Sequence, residues 1–336
     1  MYGKNIKQIN LMLGTACDRH CDYCLQYSDN TVANKKANID EFVSKLVNIL
    51  PKEYSIAMWG GEPMVYFDKI KRIVELLKKY NKIPKRIGIT THGRTLTEEY
   101  VDFANVNKNV WTAVSCHGYD FTDDQLDRIF KLENFSFSEL IYHGQVNTDH
   151  ARDFTYRLMD KYEIFPHVWL HFVKATDHCD KSFYLTREDV DELCDHLIKD
   201  VFPRATLGDI YSQWLLNQLQ REQIQRASKS KGAMCVNQDT LSVDLHGNIY
   251  NCHHNYDSSN IVGNILKKII PIYSGNNVPL KYFLSKECQS CECLNECRGG
   301  CYMSNNHEID CYLQKRLYKV LEPVKKGYRC CYEWFV

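Results

Sequence analysis

The run Ile6-Lys7-Gln8-Ile9-Asn10-Leu11-Met12-Leu13, leading to Cys17-Asp18-Arg19-His20-Cys21-Asp22-Tyr23-Cys24, decides how the chain folds. Its first part reads as a mostly apolar strand, and a loop carrying three cysteines follows it. The pattern then repeats. Ile39, Phe42, Val43, Leu46 and Leu50 fall at helical spacing, and Tyr54 to Trp59 is a second strand. Ile70, Ile73, Val74 and Leu77 make another helical stripe. Strands are expected over Arg86 to Thr90, Val110 to Ser115, Leu140 to His143 and Val168 to Val173. Helices are expected over Leu126 to Leu132, Ala151 to Tyr162 and Arg187 to Leu197. Strands alternating with helices over short connections imply parallel strands with right-handed crossovers. The pattern stops after the sixth strand, so the expected fold class is α/β, a partial (β/α)6 TIM-like barrel and not an eight-fold one. The barrel takes residues 1–203. A polar helical linker over 204–234 ends in Ser228-Lys229-Ser230-Lys231-Gly232, and a small cysteine-rich domain takes 235–336.

Composition narrows the function. A chain of 336 residues is ample for a large core, at about 150 residues per domain. Lysine plus arginine (42) equals aspartate plus glutamate (42), so no net field draws the chain to nucleic acid or an anionic membrane. Apolar runs are too short to span a bilayer, and no signal peptide is visible. Cysteine is the outlier, with 16 in all: three lie in the N-terminal loop and eight between 235 and 311. Disulfide-dense proteins are typically small and secreted, whereas clustered thiolates in a reducing cytoplasm favour iron–sulfur or zinc.

Cys17, Cys21 and Cys24 form a C-x3-C-x2-C run at the C-terminal end of the first strand, the end where barrel enzymes build their sites. Three thiolates hold three irons of a 4Fe–4S cube and leave the fourth open to a chelating ligand. Zinc is the rival, but a structural zinc wants a fourth ligand and pairwise spacing. After the second strand comes Trp59-Gly60-Gly61-Glu62-Pro63. Further on, Cys235 and Cys252 flank Gly247, and Cys288-x2-Cys291-x5-Cys297-x3-Cys301 is followed by Cys311.

These motifs resemble the radical S-adenosylmethionine (SAM) superfamily with a C-terminal SPASM domain. Tyr23 is the aromatic residue before the third cysteine, Gly60-Gly61-Glu62-Pro63 matches the superfamily's GGEP, and Gly263-Asn264-Ile265 matches its GNI stretch. The resemblance implies a 4Fe–4S cluster on Cys17, Cys21 and Cys24 that binds SAM. It implies SAM contacts from Tyr23, Gly60, Gly61, Glu62 and Ser115, with the glycine pair letting carbonyls approach the ligand and Glu62 adding charge near its ammonium. Two auxiliary 4Fe–4S clusters follow by the same analogy, the first on Cys235, Cys252 and Cys301 and the second on Cys288, Cys291, Cys297 and Cys311. Cys293, His253, His254 or a substrate atom would complete the ligand set, and Cys330 or Cys331 are alternatives to Cys311. Cys116, Cys179 and Cys194 read as core residues. The implied chemistry is reductive cleavage of SAM to a 5′-deoxyadenosyl radical, which abstracts a hydrogen from substrate. The family prior for that substrate is a ribosomally made peptide or protein side chain, as in a maturase. Alternatives are the same chemistry on a small molecule or nucleotide and, more distantly, a zinc-binding scaffold. Implied partners are a flavodoxin- or ferredoxin-type reductant and, for a peptide substrate, a separate leader-peptide-binding protein.

The chain also departs from the family. Where relatives often carry Thr-Asn-Gly it has Thr91-His92-Gly93, and in place of Ser-x-Asp-Gly it has Ser115-Cys116-His117-Gly118. His253 occupies the place where sulfatase-maturing relatives carry an aspartate, and Arg128 is the candidate for a SAM-carboxylate arginine. His92, His117 and His143 each precede a glycine at a strand end. They are the candidate catalytic residues, imidazoles gathered at the barrel mouth to bind a substrate group or move a proton.

Overall fold

β1 (Gln8–Met12) is covered on both faces, with Ile9, Leu11 and Met12 each 0% exposed. That burial is why it reads as a near-continuous apolar run, as a central parallel strand must. The computed structural model describes residues 6–24, 36–227, 239–254, 256–269, 286–297, 299–301 and 304–325. After β1 come α1 (Ile39–Leu46), β2 (Ser55–Trp59), α2 (Phe67–Lys79), β3 (Arg86–Thr91), α3 (Glu98–Val106), β4 (Val110–Ser115) and α4 (Asp123–Phe130). Next are β5 (Phe135–Ile141), α5 (Asp149–Tyr162), β6 (Val168–Phe172), α6 (Arg187–His196), α7 (Phe202–Thr206) and α8 (Ile210–Ala227). The remainder is β7 (Thr240–Asp244), β8 (Asn248–Tyr250), β9 (Ile261–Asn264), α9 (Lys286–Gln289), α10 (Leu294–Cys297), α11 (His307–Val320) and α12 (Glu322–Lys325). Sequential parallel strands, most followed by a helix, make the expected α/β architecture of a partial TIM-like barrel.

The chain divides into two compact units, Met1–Ser138 with Cys235–Asn277 and Glu139–Met234 with Val278–Val336. In the first, β1 to β4 and the start of β5 pair in parallel in sequence order. β7 adds to the free side of β1, also in parallel, from Gln8 opposite Thr240 to Met12 opposite Asp244. β8 and β9 then continue antiparallel. These residues therefore extend the N-terminal sheet, and the compact units do not follow the boundaries that composition suggests. Two elements also differ from expectation. β5 begins at Phe135 and not Leu140, because Phe135 packs edge-on against both Phe130 of α4 and Phe137. α3 goes beyond the expected elements: Thr97 caps it by accepting from the Tyr100 N–H, and Glu98 and Glu99 open its first turn.

In the second unit the end of β5 meets β6, with the Val173 N–H donating to Ile141 O at 2.9 Å. The other edge of β6 is sealed by a side chain. Gln218 of α8, 2% exposed, accepts from the Leu170 N–H at 3.2 Å and donates to Leu170 O at 3.0 Å. Its carboxamide thus does the work of a neighbouring strand, satisfying backbone groups that burial would otherwise orphan. α11 joins α6 through Tyr312, whose hydroxyl donates to Asp191 at 2.8 Å. Among the described residues no helix is long and apolar enough to cross a membrane.

Candidate active site

The ladder between β1 and β2 runs on past both strands into the two motifs. The Leu13 N–H donates to Trp59 O at 2.8 Å, the Gly61 N–H to Gly14 O at 2.9 Å and the Glu62 N–H to Ala16 O at 2.9 Å. This approach explains the glycines. A Cβ on Gly60 would stand 2.2 Å from Gly14 O, and one on Gly61 would stand 2.3 Å from Ala16 O and 2.4 Å from Thr15 O. The missing side chains of the pair also admit the backbone that leads into the cysteine loop. A 3-10 turn over Pro63–Tyr66 adds a further tie, the Tyr66 hydroxyl accepting from the Ala16 N–H at 2.7 Å.

Cys17, Cys21 and Cys24 are half-buried on this loop. The Arg19 N–H points at Cys17 Sγ from 3.4 Å, and the Cys24 N–H donates to Cys21 O at 2.9 Å. Burial pushes the Cys17 thiol up, against the opposing Arg19 contact. A coordinating metal reverses that preference.

Glu62 lies behind the loop, 1% exposed. One carboxylate oxygen accepts from the Met64 N–H (2.9 Å) and the Thr91 hydroxyl (2.6 Å), and the other from the His92 N–H (2.9 Å). Protein donors thus hold both oxygens, and the charge Glu62 brings is a buried, fixed one. His92 follows β3 and is only 10% exposed; its Nε2 lies 2.8 Å from Asp18 Oδ1 and 3.3 Å from Glu62 Oε2. Its Nδ1 accepts from the Arg94 N–H at 3.1 Å, which places the ring proton on Nε2. Burial acts to raise the Asp18 carboxyl, but the His92 contact, a backbone N–H and the Arg19 charge together outweigh it and leave the group below the usual range. The Arg94 guanidinium pairs with Asp120 and donates to His92 O at 3.0 Å.

The other candidates separate by unit. His117, beyond β4, meets Tyr23 of the cysteine loop edge-to-face at 5.2 Å, and Ser115 closes β4 half-buried. The second unit holds His143, half-exposed, with Nδ1 2.8 Å from Asp189 Oδ2. Asp189 also accepts from the Gly144 N–H, the Thr186 N–H and the Thr186 hydroxyl. As expected, the chain turns at the glycine after each histidine, at φ 76°, 80° and 73° for Gly93, Gly118 and Gly144. Asp189 was missed because it is far from His143 in sequence. Buried Glu139 was missed too; its Oε1 lies 2.6 Å from His150 Nε2 and accepts from Gln145 at 3.0 Å. No periodic signal marks either carboxylate.

Of the remaining cysteines, Cys252 is buried after β8 and its Sγ lies 3.3 Å from the His254 N–H. His253 stacks on Trp59 of the glycine motif at 4.8 Å. Cys288 lies in the short helix α9 and Cys297 ends the short helix α10, while Cys291 and Cys301 lie outside both; the Cys291 N–H donates to Cys288 O and the Ser304 N–H to Cys301 O. Cys311 is exposed on α11; partial desolvation raises its thiol against the opposing Lys315 charge, and the charges of Cys291 and Cys288 act in the raising direction. Cys293 is buried and its thiol is pushed up to about 12, first by desolvation and then by Cys291. Cys116, Cys179 and Cys194 are core residues. Cys235, Cys330, Cys331 and the Ser228 to Gly232 stretch lie outside the described residues. Asp244, fully buried, accepts from the N–H groups of His246 and Asn248, the Asn248 amide and the Tyr250 hydroxyl. Asn264 of the GNI stretch closes that network by donating to Asn248 at 2.7 Å.

A donor set of three thiolates on one anchored loop, with a backbone N–H directed at one sulfur, has the chemistry a 4Fe–4S cube requires. Among the described residues no three His, Cys, Asp or Glu side chains converge on the position of a single ion, whereas a cube places each thiolate on a different iron.

Residues 11–131 match the Radical SAM superfamily. Among curated proteins, the chain is similar to the radical SAM cyclopropyl synthase TigE of Paramaledivibacter caminithermalis, 26% identical over 147 residues, covering 38% of this chain and 31% of the relative. It is also 31% identical over 105 residues to GTP 3′,8-cyclase of Clostridium perfringens, covering 29% of this chain and 31% of the relative. The chain thus spans about a third of the length of these relatives. Among solved structures it resembles anSMEcpe with bound AdoMet, at TM-score 0.70, 18% identity and coverage of 95% and 94% of the two chains. It also resembles Streptococcus suis SuiB bound to its precursor peptide SuiA, at TM-score 0.60, 15% identity and coverage of 89% and 72%. At these identities the structures show a shared fold. The family match and this fold together support the radical SAM superfamily.

Proposed function

We propose that the chain is a radical SAM enzyme with a SPASM region, acting on a ribosomally made peptide or protein side chain. The observation that carries this reading is the backbone fit of the cysteine loop onto the Gly60-Gly61-Glu62 turn, which joins the two motifs in one site. Cys17, Cys21 and Cys24 would hold the 4Fe–4S cluster, with SAM beside Tyr23, Gly60, Gly61, Glu62 and Ser115. When bound, the cluster and SAM supply reductive cleavage and a hydrogen-abstracting radical. The protein's part is to hold the reacting groups in place and exclude water. Glu62 keeps a buried negative charge behind the turn, and Tyr23 packs the loop against His117. Asp189 orients His143 with Nδ1–H inward, leaving Nε2 to accept a proton from substrate.

Cys235, Cys252, Cys288, Cys291, Cys297, Cys301 and Cys311 would hold two auxiliary clusters. The placement of Cys288 and Cys297 on the short helices α9 and α10 and the influence of the Cys291 and Cys288 charges on Cys311 support the second. A thiolate-rich chain of this kind belongs in the reducing cytoplasm with a flavodoxin- or ferredoxin-type reductant. The peptides bound to the fold neighbours favour a peptide substrate, with a separate leader-binding protein as partner. The local match to GTP 3′,8-cyclase favours the second reading, the same chemistry on a small molecule or nucleotide.

The test is anaerobic reconstitution, iron and zinc analysis, and incubation with SAM and dithionite. About twelve irons per chain and formation of 5′-deoxyadenosine and methionine are expected. The Cys17→Ala/Cys21→Ala/Cys24→Ala triple variant should keep the auxiliary iron and form no 5′-deoxyadenosine. Residual cleavage in the folded triple variant, or zinc in place of iron, overturns the assignment.

A further inference from the structure

We infer that His92 is a positioning residue that locks the cysteine loop to the Glu62 turn through Asp18. The inference rests on the proposed reading of Cys17, Cys21 and Cys24 as cluster ligands. Three contacts of His92 carry it. Its backbone N–H donates to Glu62 Oε2, fixing the residue to the glycine turn. Its Nδ1 accepts from the Arg94 N–H, so the ring proton sits on Nε2. That proton then points at Asp18, the residue after Cys17, at 2.8 Å.

The geometry separates this role from ordinary packing and from proton transfer to substrate. A merely packed imidazole needs no match between its two nitrogens and two different motifs. A general acid or base needs a nitrogen to present to substrate, and both nitrogens of His92 are engaged within the protein. Asp18 is half-exposed, so without His92 a hydrated carboxylate would be free to swing the first residue of the C-x3-C segment away from the Glu62 turn. A second ion pair on this segment, Arg19 to Asp120, spans 4.0 Å between half-exposed groups and holds it more weakly.

Side-chain length provides the test. Glutamine at this position places its amide N–H where Nε2 stands and can still reach Asp18, whereas asparagine reaches only as far as Nδ1. His92→Asn, His92→Gln, Asp18→Ala and the His92→Asn/Asp18→Ala double variant are reconstituted anaerobically in the full chain. Iron content, the electron paramagnetic resonance signal of the reduced cluster with and without SAM, and SAM affinity by calorimetry are then measured. Loss of a charge-assisted bond predicts SAM binding about tenfold weaker and a changed SAM-dependent signal in His92→Asn and Asp18→Ala. The double variant should be no weaker than either single one, because both remove the same bond. His92→Gln should bind within about twofold of wild type. Wild-type affinity and signal in both single variants, additive losses in the double variant, or a glutamine variant as weak as asparagine overturns the clamp. A wild-type protein that binds no cluster or no SAM instead overturns the proposed function.

Discussion

Replacing Gly61 with alanine probes the contact on which the candidate site is built. The added methyl would stand 2.3 Å from Ala16 O, 2.4 Å from Thr15 O and 2.6 Å from Ala16 C, all backbone atoms of the approach to the cysteine loop. No side chain can rotate aside, so a 3 Å separation requires that backbone to retreat by roughly 0.7 Å. Overpacking of this kind costs about 1–3 kcal/mol. The retreat also stretches the Glu62 N–H bond to Ala16 O, worth about 1 kcal/mol. The expected loss is therefore about 2–4 kcal/mol. Gly144→Ala is the control, since nothing lies within 4 Å of its Cβ position and only its positive φ opposes the change, at about 1–2 kcal/mol. The assay is urea denaturation of both variants, with iron content after anaerobic reconstitution. Gly61→Ala should unfold at the lower urea concentration and lose about four irons, one cluster's worth, while Gly144→Ala keeps its iron. If Gly61→Ala retains wild-type iron and is no less stable than Gly144→Ala, the close approach of the two motifs is not what Gly61 provides.

Three further outcomes follow from other parts of the chain. Gln218→Ala orphans the N–H and C=O of Leu170 on β6 and should cost about 2–4 kcal/mol, with faster hydrogen exchange at the Leu170 amide; unchanged protection there refutes the edge-sealing role. Burial raises the Asp189 carboxyl, but its bonds to His143, Thr186 and Gly144 outweigh that and hold it below the usual carboxylate range. Its contribution to stability is therefore full above about pH 4 and lost as pH falls through the lowered folded value, so the deficit of Asp189→Asn against wild type should shrink on acidification; a deficit that grows refutes the pairing. Cys311→Ala should remove up to about four irons while Cys330→Ala removes none, and the reverse order would move the last ligand to the C-terminal tail.

What could be read from the sequence was what local chemistry writes into adjacent residues. Apolar runs such as Ile9 to Leu13 announce buried parallel strands, and the cysteine loop announces itself by residue type. The pairing of β7 with β1 could not be read, because short strands around His246-Gly247-Asn248 look the same whether they form their own sheet or extend another. The partner of His143 was hidden for a related reason. Asp189 belongs locally to a capping box with Thr186, and that role fully accounts for an acidic residue there. Gln218 was invisible because a glutamine on a polar helix is ordinarily a solvated residue.

The contacts around the cysteine loop differ in kind, and this ranks their importance. The glycine fit is steric and backbone to backbone, so neither solvent nor salt can relieve its loss. The His92 bond to Asp18 is charge-assisted but half-open to water, which weakens it without abolishing it. The Arg19 pair with Asp120 joins exposed groups at 4.0 Å, where an ion pair contributes about 0–1 kcal/mol and is screened by salt. Iron retention should therefore fall in the order Gly61→Ala, then His92→Asn, then Arg19→Ala. Raising the salt concentration should reproduce in wild type only the smallest of these losses, the one that Arg19→Ala causes. A loop held mainly by charge would show the opposite order, with Arg19→Ala and high salt stripping iron while Gly61→Ala kept it.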